Sequence, residues 1–384
     1  MPSVPVSETR ALPGAGGQHV AALDGIRGLA VLAILFHNAS WIATSRSTGA
    51  EKIVGSVAAA SWVGVTLFFV LSGLLITGIL LDTRERPHFF RSFYIRRTLR
   101  IFPIYYLLLA VVVLIGPRVI SDTAWITSVR ANQIYYWAYI SNWTSHGIVG
   151  LAHFWSLAVE EQFYLVWPLV VWLVPRRRLL WVCGAIILLT PFIRLGLYQI
   201  GLATATYTYT VARWDALALG AVLAILLRSE AGRDWLRRIN FRVGAASLGV
   251  LVVFGLFHRG FLTGDFLIDV WGHSAVAIFF AALLGAAVLP TNRVTSAVQR
   301  AFETDWIRFF GRYSYAIYVF HDPILQMAKP SFTIWINQGG AAERFARFVA
   351  YEASMLGAST AVALVSWHLI EKHCLRLKDR WTRA

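Results

Sequence analysis

Ten long apolar runs limit this chain to folds whose helices can cross a lipid bilayer. They cover about residues 22–44, 57–81, 99–116, 153–174, 179–199, 212–228, 241–257, 267–290, 309–328 and 346–370. Backbone polar groups in lipid must be hydrogen-bonded within the segment, as they are in a helix. The 384 residues are 57% hydrophobic and only 14% charged. We therefore predict an all-α, polytopic integral membrane protein with about ten transmembrane helices.

The basic residues predict how these helices are oriented. A formal net charge of +15 is compatible with a nucleic-acid partner, but the Lys and Arg side chains lie in the breaks between apolar runs. The tails and every second break carry about three times as many Lys and Arg residues as the remaining breaks do. Basic residues are enriched on the cytoplasmic side, so this pattern favours both termini in the cytoplasm. We expect a multi-pass protein of the plasma membrane, with the bilayer and not nucleic acid as its partner.

The chain divides into three parts. Residues 1–20 are rich in Pro, Ser and Gly and predict a disordered tail, because they lack the features of a signal peptide. Residues 21–373 form one transmembrane domain, and residues 374–384 form a basic cytoplasmic tail. The two cysteines, Cys183 and Cys374, have neither disulfide nor metal-ligand spacing, and no metal is expected.

The first apolar helix carries an ionisable side chain far from its charged end. Asp24 and Arg27 lie at its start, and His37 follows ten residues after Arg27. At about 1.5 Å per residue, His37 lies roughly 15 Å further into the hydrocarbon layer. An ionisable group at that depth indicates a functional site. The alternative is that Asp24 and Arg27 mark the interface and His37 makes an interhelical hydrogen bond.

A basic and aromatic segment follows the second apolar run. Arg97 and Arg100 are three residues apart and Arg96 and Arg100 four apart, so they can converge on one helical face. Such a group of guanidiniums suits bidentate phosphate binding. The alternative is an interfacial segment that touches anionic lipid.

The first half of the fourth apolar run contains two adjacent carboxylates, Glu160 and Glu161, shortly after Trp155. Carboxylates inside a span are costly and therefore indicate function. Adjacent residues point about 100° apart on a helix, so we expect only one of them to face His37. We favour Glu160.

Other polar or small residues have simpler interpretations. Gly73 and Gly78 are typical of close helix packing. His321 lies at mid-depth in the ninth run, where either a structural hydrogen bond or an acceptor-facing role is open. Arg213 and Asp215 are interpreted as an interfacial pair.

Five sequence blocks, in this order, resemble the acyltransferase type 3 family of integral membrane O-acyltransferases. The blocks are residues 23–28 with His37, 69–73, 96–103, 155–164, and 313–315 with His321. The similarity extends from about residue 20 to 373. It implies an enzyme of ten helices that takes an acyl group, expected to be acetyl, from acyl-coenzyme A on the cytoplasmic side. The acceptor would be a hydroxyl, usually of a sugar, on a glycan, glycolipid or secondary metabolite.

The resemblance also implies roles for individual residues. His37 would be the general base, with Arg27 as its partner and Glu160 as the carboxylate of the fourth helix. We expect coenzyme A to contact Arg96, Arg97, Arg100, Ser72, Tyr105 and Trp155. We expect the acceptor to contact Glu161, His321 and Asp24.

The chain departs from the family pattern in two places. Members often have ten residues between the first-helix Arg and His, whereas nine separate Arg27 from His37. Ten helical steps leave the two side chains about 80° apart, which argues against direct contact. In addition, Glu371 is followed by Lys372 where a Pro is common.

Two other functions remain open from the residues alone. One is a proton-coupled transporter or flippase, because intramembrane His and Glu also relay protons. Transporters often contain internal repeats, however, and none is evident. The other is a non-catalytic lipid- or glycan-binding scaffold, which leaves His37 and Glu160 unexplained. The oligomeric state is open as well.

Overall fold

The computed structural model describes residues 20–37, 49–144, 147–257, 264–336 and 340–381, and nearly all of these are helical. No strand occurs within these ranges. The helices are α1 (Ala21–His37), α2 (Ala50–Ala60), α3 (Val63–Thr83), α4 (Phe89–Ala110), α5 (Gly116–Val119), α6 (Thr123–Trp137), α7 (Phe154–Leu173), α8 (Arg176–Gln199), α9 (Ala205–Thr208), α10 (Trp214–Leu227), α11 (Glu230–Phe257), α12 (His273–Val288), α13 (Arg293–Phe302), α14 (Asp305–Ile336), α15 (Ala341–Ser366) and α16 (Lys372–Trp381). Short π-helical segments connect α4 to α5 and α15 to α16, and another leads into α12.

Six helical stretches are long and apolar enough to cross a membrane. They are Glu51–Thr83, Phe89–Val119, Arg176–Gln199, Glu230–Phe257, Ile268–Val288 and Ala342–Leu377. The prediction of an all-helical protein with several apolar helices is therefore confirmed for the described residues. The count of ten spans and the cytoplasmic location of both termini stay predictions. Of the predicted tails, residues 1–19 lie outside the described ranges, and residues 374–381 continue α16.

Glycines bring the central helices α3 and α10 together. A methyl group on Gly73 would overlap the backbone carbonyl of Leu217, and one on Gly220 would overlap the backbone of α3. Gly78 faces the guanidinium of Arg228, which also leaves no room for a larger residue. The packing interpretation of Gly73 and Gly78 is thus confirmed. Small residues allow this close approach in membrane helices.

Helices α1 and α14 pack side by side in the same way. A methyl group on Gly28 would overlap the carbonyl of Ile307, and one on Gly311 would overlap the carbonyl of Asp24. Toward the C-terminal end of both helices, Phe36 of α1 and Leu325 of α14 line one cavity. Because later residues of one helix lie beside later residues of the other, the two helices run in the same direction. This packing places the polar residues of α14 beside α1.

Arg213 and Asp215 act on each other electrostatically, and their interpretation as an interfacial pair stays a prediction. Both are 1% exposed, inside the packed helices. Asp215 also pairs with Arg194, at 3.0 Å between carboxylate oxygen and guanidinium nitrogen. Arg213 donates to the hydroxyl of Thr66 at 2.6 Å. The sequence could not reveal this arrangement, because Arg194 lies in α8, a helix that is otherwise apolar at this level.

Candidate functional site

A cavity of about 170 Å³ lies between α1, α3, α4, α7 and α14. We call it the arginine cavity. Its polar lining comprises Arg27, Ser72, Arg97, Arg100, Ser156, Glu160, Glu161, Tyr164, Ser314, Tyr315 and Tyr318. Apolar side chains of α3, among them Phe68 and Phe69, form most of the remaining wall. Five helices thus contribute to one site, and all five sequence blocks are represented, although His37 and His321 do not line this cavity.

Three guanidiniums meet in this cavity. Arg97 and Arg100 project from consecutive turns of α4, and Arg27 projects from the first turns of α1. The charges of Arg27 and Arg97 both act on Arg100, so the three repel one another. Arg27 is partly compensated by Asp24, at 3.0 Å. A cluster of this kind is stabilised by an anion that can bridge the guanidiniums.

Both carboxylates of α7 line the arginine cavity. Glu160 interacts with the hydroxyls of Ser72 and Tyr164 and with the charge of Arg97. Arg97 also acts on Glu161, whose Oε1 atom has no hydrogen-bond partner in the part of the chain that the structure describes. Both were predicted site residues, Glu160 as the carboxylate that faces His37 and Glu161 as a contact of the acceptor, and these roles stay predictions. The cavity extends around α7 far enough to include two positions about 100° apart.

Hydroxyl groups extend the polar lining away from the arginines. Ser156 Oγ and Tyr318 Oη are 2.5 Å apart. Both hydroxyls donate to the backbone carbonyl of His153, at 3.1 and 2.9 Å respectively. The His153 ring lies 3.3 Å from the carboxylate of Asp322. These four residues lie within or beside the sequence blocks, but no spacing in the sequence indicated that α7 and α14 meet there.

His37 does not reach the arginine cavity. It is the last residue of α1, and its Nδ1 atom lies 3.0 Å from the carbonyl oxygen of Ala58 in α2. The expectation that His37 and Glu160 share a cavity is therefore wrong for this conformation. The reason is geometric: Arg27 lines the cavity, and His37 is ten residues further along and about 80° around the same helix.

Two residues expected to contact coenzyme A have structural roles instead. Tyr105 is 0% exposed, and its hydroxyl donates to the carbonyl of Tyr136 at 2.8 Å. Its ring stacks on Tyr139, with the centroids 4.1 Å apart. Trp155 packs against Tyr207 at 4.7 Å. Neither side chain lines the arginine cavity, because both turn toward the aromatic core behind it.

Of the remaining predicted site residues, some line the arginine cavity and others lie elsewhere. Ser72, Arg97 and Arg100 line the cavity as expected. Arg96 is exposed on a different face of α4 from Arg97, since adjacent helical residues point about 100° apart. His321 lines a second cavity, described below. Within the described ranges, no group of three or more His, Cys, Asp or Glu side chains is arranged to hold a metal ion.

Comparison with known proteins assigns the chain to a family. Residues 20–367 match the acyltransferase domain family. The chain belongs to this family. The resemblance drawn from the five sequence blocks is thereby confirmed. The match covers all the helices that line the arginine cavity.

Several named relatives are similar over most of this chain. The peptidoglycan O-acetyltransferase OatA of Listeria monocytogenes is 30% identical in an alignment of 343 positions, which covers 82% of this chain and 50% of that protein. The putative peptidoglycan O-acetyltransferase YrhL of Bacillus subtilis is 29% identical, over 82% of this chain and 50% of its own length. A putative O-acetyltransferase of Staphylococcus aureus is 29% identical, over 80% of this chain and 51% of its own length. The chain thus spans about half the length of these relatives. No solved structure is a significant match.

Proposed function

We propose that this protein is an O-acyltransferase of the plasma membrane, which moves an acyl group from acyl-coenzyme A to a hydroxyl of a carbohydrate. The observation that carries the proposal is the arginine cavity, where three guanidiniums and two carboxylates meet inside an apolar helical protein. Buried charges are costly and are retained for function in membrane proteins. With ten spans and both termini in the cytoplasm, the arginines lie on the cytoplasmic side, where coenzyme A is present.

The size and charge of the cavity support an acyl-coenzyme A donor. Its volume of about 170 Å³ is smaller than a site that encloses a drug-sized ligand. The acyl thioester and the adjoining arm fit inside, while the phosphates stay at the mouth. Arg100 is exposed and can bind phosphate there, and Arg97 is half-buried closer to the carboxylates.

The reaction is a direct transfer. The acceptor oxygen attacks the thioester carbonyl, a carbon–oxygen bond forms and the carbon–sulfur bond breaks. The hydroxyl proton passes to a base, and coenzyme A leaves as a thiolate that takes up a proton. We propose no acyl-enzyme, because the described residues that line the cavity include no Cys, and its Ser72 hydroxyl contacts the Glu160 carboxylate but no His or Lys base. Glu160 would position Ser72, Tyr164 and Arg97 around the thioester.

The base assignment rests on the family resemblance. A general base must come within hydrogen-bonding reach of the hydroxyl, although apo geometry alone does not exclude a residue. We keep His37 as the proposed base. In this structure it lies at the C-terminal end of α1, beside Phe36, which lines the second cavity. The acceptor would therefore reach His37 from that side.

The names of the relatives suggest the acceptor class. Two are described as acting on peptidoglycan, so we propose a hydroxyl of a cell-surface glycan or its precursor as the acceptor and acetyl as the acyl group. Residues 21–373 would form the acyltransferase domain.

The test uses the full chain in lipid nanodiscs with radiolabelled acetyl-coenzyme A. Soluble peptidoglycan fragments serve as the acceptor, and alkali-labile label on the glycan measures O-acetylation. We expect acetyl-coenzyme A binding and label transfer, both lost in an Arg97→Ala, Arg100→Ala double variant. Failure to bind acetyl-coenzyme A in the folded wild-type protein would overturn the proposal. Binding with transfer to water alone would overturn only the choice of acceptor.

A further inference from the structure

A second cavity, of about 310 Å³, lies between α1, α14 and α15. We call it the α15 cavity. Its wall is largely apolar and includes Leu32 and Phe36 of α1 and Leu356 of α15. Polar side chains enter it at three positions, His321, Glu352 and Ser359. It is larger than the arginine cavity and is of the size that holds a small organic ligand.

His321 lines this cavity and carries an unpartnered hydrogen-bond acceptor. The side chain is 2% exposed, and its Nδ1 atom lies 2.6 Å from the carbonyl oxygen of Tyr318. A carbonyl oxygen only accepts, so Nδ1 carries the proton and Nε2 has a free lone pair in the neutral ring. Nε2 has no hydrogen-bond partner among the described residues. A buried acceptor without a donor is unfavourable, and a ligand with a hydroxyl would satisfy it.

Glu352 adds a second acceptor to the same space. Its Oε1 atom also lacks a hydrogen-bond partner within the described ranges. Two acceptors in an otherwise apolar cavity select for a ligand that carries hydrogen-bond donors on an apolar body. A phosphate or carboxylate ligand is excluded, because it would bring further acceptors and negative charge against Glu352.

The α15 cavity reaches the side of the protein that faces lipid. Helix α15 belongs to the candidate span Ala342–Leu377. In the most apolar part of that span, only 22% of the residues are buried in the protein. Val349 lines the cavity and is itself 50% exposed. A ligand with an apolar chain can therefore enter laterally from the bilayer.

We propose that the α15 cavity binds an amphiphilic alcohol, whose hydroxyl donates to Nε2 of His321 and whose apolar part contacts Leu32, Phe36 and Leu356. This inference rests on the proposed function, because the alcohol would be the lipid-linked acyl acceptor. Helix α14 forms a wall of both cavities, since Tyr318 lines the arginine cavity one turn before His321. Phe36 is followed directly by His37. The acceptor would thus be held between the donor site and the proposed base.

The test is photolabelling of the full chain in nanodiscs with a dodecanol that carries a diazirine on its chain. The matched probe is its methyl ether, which keeps the chain but lacks the donor. We expect the alcohol to label residues 349–359, with labelling about 2- to 10-fold lower for the ether, as for loss of one hydrogen bond. Unlabelled dodecanol should compete.

Three variants complete the design. His321→Leu should reduce labelling by the alcohol to that of the ether, and Leu356→Trp should fill the cavity and abolish labelling. Val365→Trp is the matched control, because Val365 lies on the exposed face of the same helix. Equal labelling by both probes, or labelling unchanged in His321→Leu, would show only lipid chains in the cavity and overturn the proposal. Acetyl-coenzyme A binding, measured on the same samples, reports separately on the proposed function.

Discussion

The guanidinium of Arg97 lies over the ring of Tyr164, with 4.8 Å between its central carbon and the ring centroid. Arg97 also acts electrostatically on Glu160 and Glu161, so one side chain of α4 connects the aromatic and acidic parts of α7. This position is held from two sides, by stacking and by charge. We infer that Arg97 is fixed before the donor binds, which lowers the entropic cost of binding a phosphate or thioester.

Arg97→Ala should weaken acyl-coenzyme A binding by about 10- to 100-fold, because it removes one charged hydrogen bond to the ligand. Arg96→Ala is the matched control, because the neighbouring arginine is exposed outside the cavity. We expect its effect to stay within about twofold, as for an exposed charge. Equilibrium binding of labelled acetyl-coenzyme A measures both. Equal losses in the two variants would indicate general surface attraction and contradict the role of the cavity.

Glu160→Gln should lower kcat by about 10- to 100-fold while the protein remains folded. The amide has nearly the same shape, but it removes the negative charge that faces Arg97 and that accepts from the hydroxyls of Ser72 and Tyr164. Tyr164→Phe should show a smaller loss, because it removes one donor to the carboxylate. Steady-state kinetics with acetyl-coenzyme A would check both, and unchanged kcat in Glu160→Gln would rule out its positioning role.

The sequence predicted the helical class and much of the site, for identifiable reasons. Arg97 and Arg100 share a face because they are three residues apart, and Glu160 was recognised because a carboxylate in an apolar run is costly. Tyr105 was misassigned because its motif does not reveal which face of α4 packs inside. There its hydroxyl already has a backbone partner, Tyr136. Contacts between distant helices, such as Ser156 with Tyr318, require the tertiary structure.

The nine-residue spacing between Arg27 and His37 was the informative departure from the family pattern. It predicted that the two side chains diverge, and the structure places Arg27 in the arginine cavity and His37 outside it, against the carbonyl of Ala58. Helical geometry alone was sufficient for that inference. It could not give the partner of His37, the carbonyl of Ala58, because the contact between α1 and α2 depends on the tertiary structure.

His37→Ala should abolish transfer, by about 10²- to 10⁴-fold for loss of a general base, and leave acetyl-coenzyme A binding unchanged. Binding is spared because the side chain lies outside the arginine cavity. His37→Gln serves as the control for packing, since it retains a polar group near Ala58. Transfer that persists in His37→Ala would contradict the assignment of His37 as the base.

Gly73→Ala should destabilise the contact between α3 and α10, because the added methyl group overlaps the carbonyl oxygen of Leu217. Overpacking of this kind costs about 1–3 kcal/mol in the free energy of unfolding.

Gly184→Ala in α8 is the matched control, since a methyl group there meets no atom within 4 Å. Alanine favours helix over glycine by about 1 kcal/mol, so the control should be neutral or more stable. Thermal unfolding in detergent, followed by circular dichroism, measures both variants. If Gly73→Ala is as stable as Gly184→Ala, then α3 and α10 are not held at the close distance on which the shape of the arginine cavity depends.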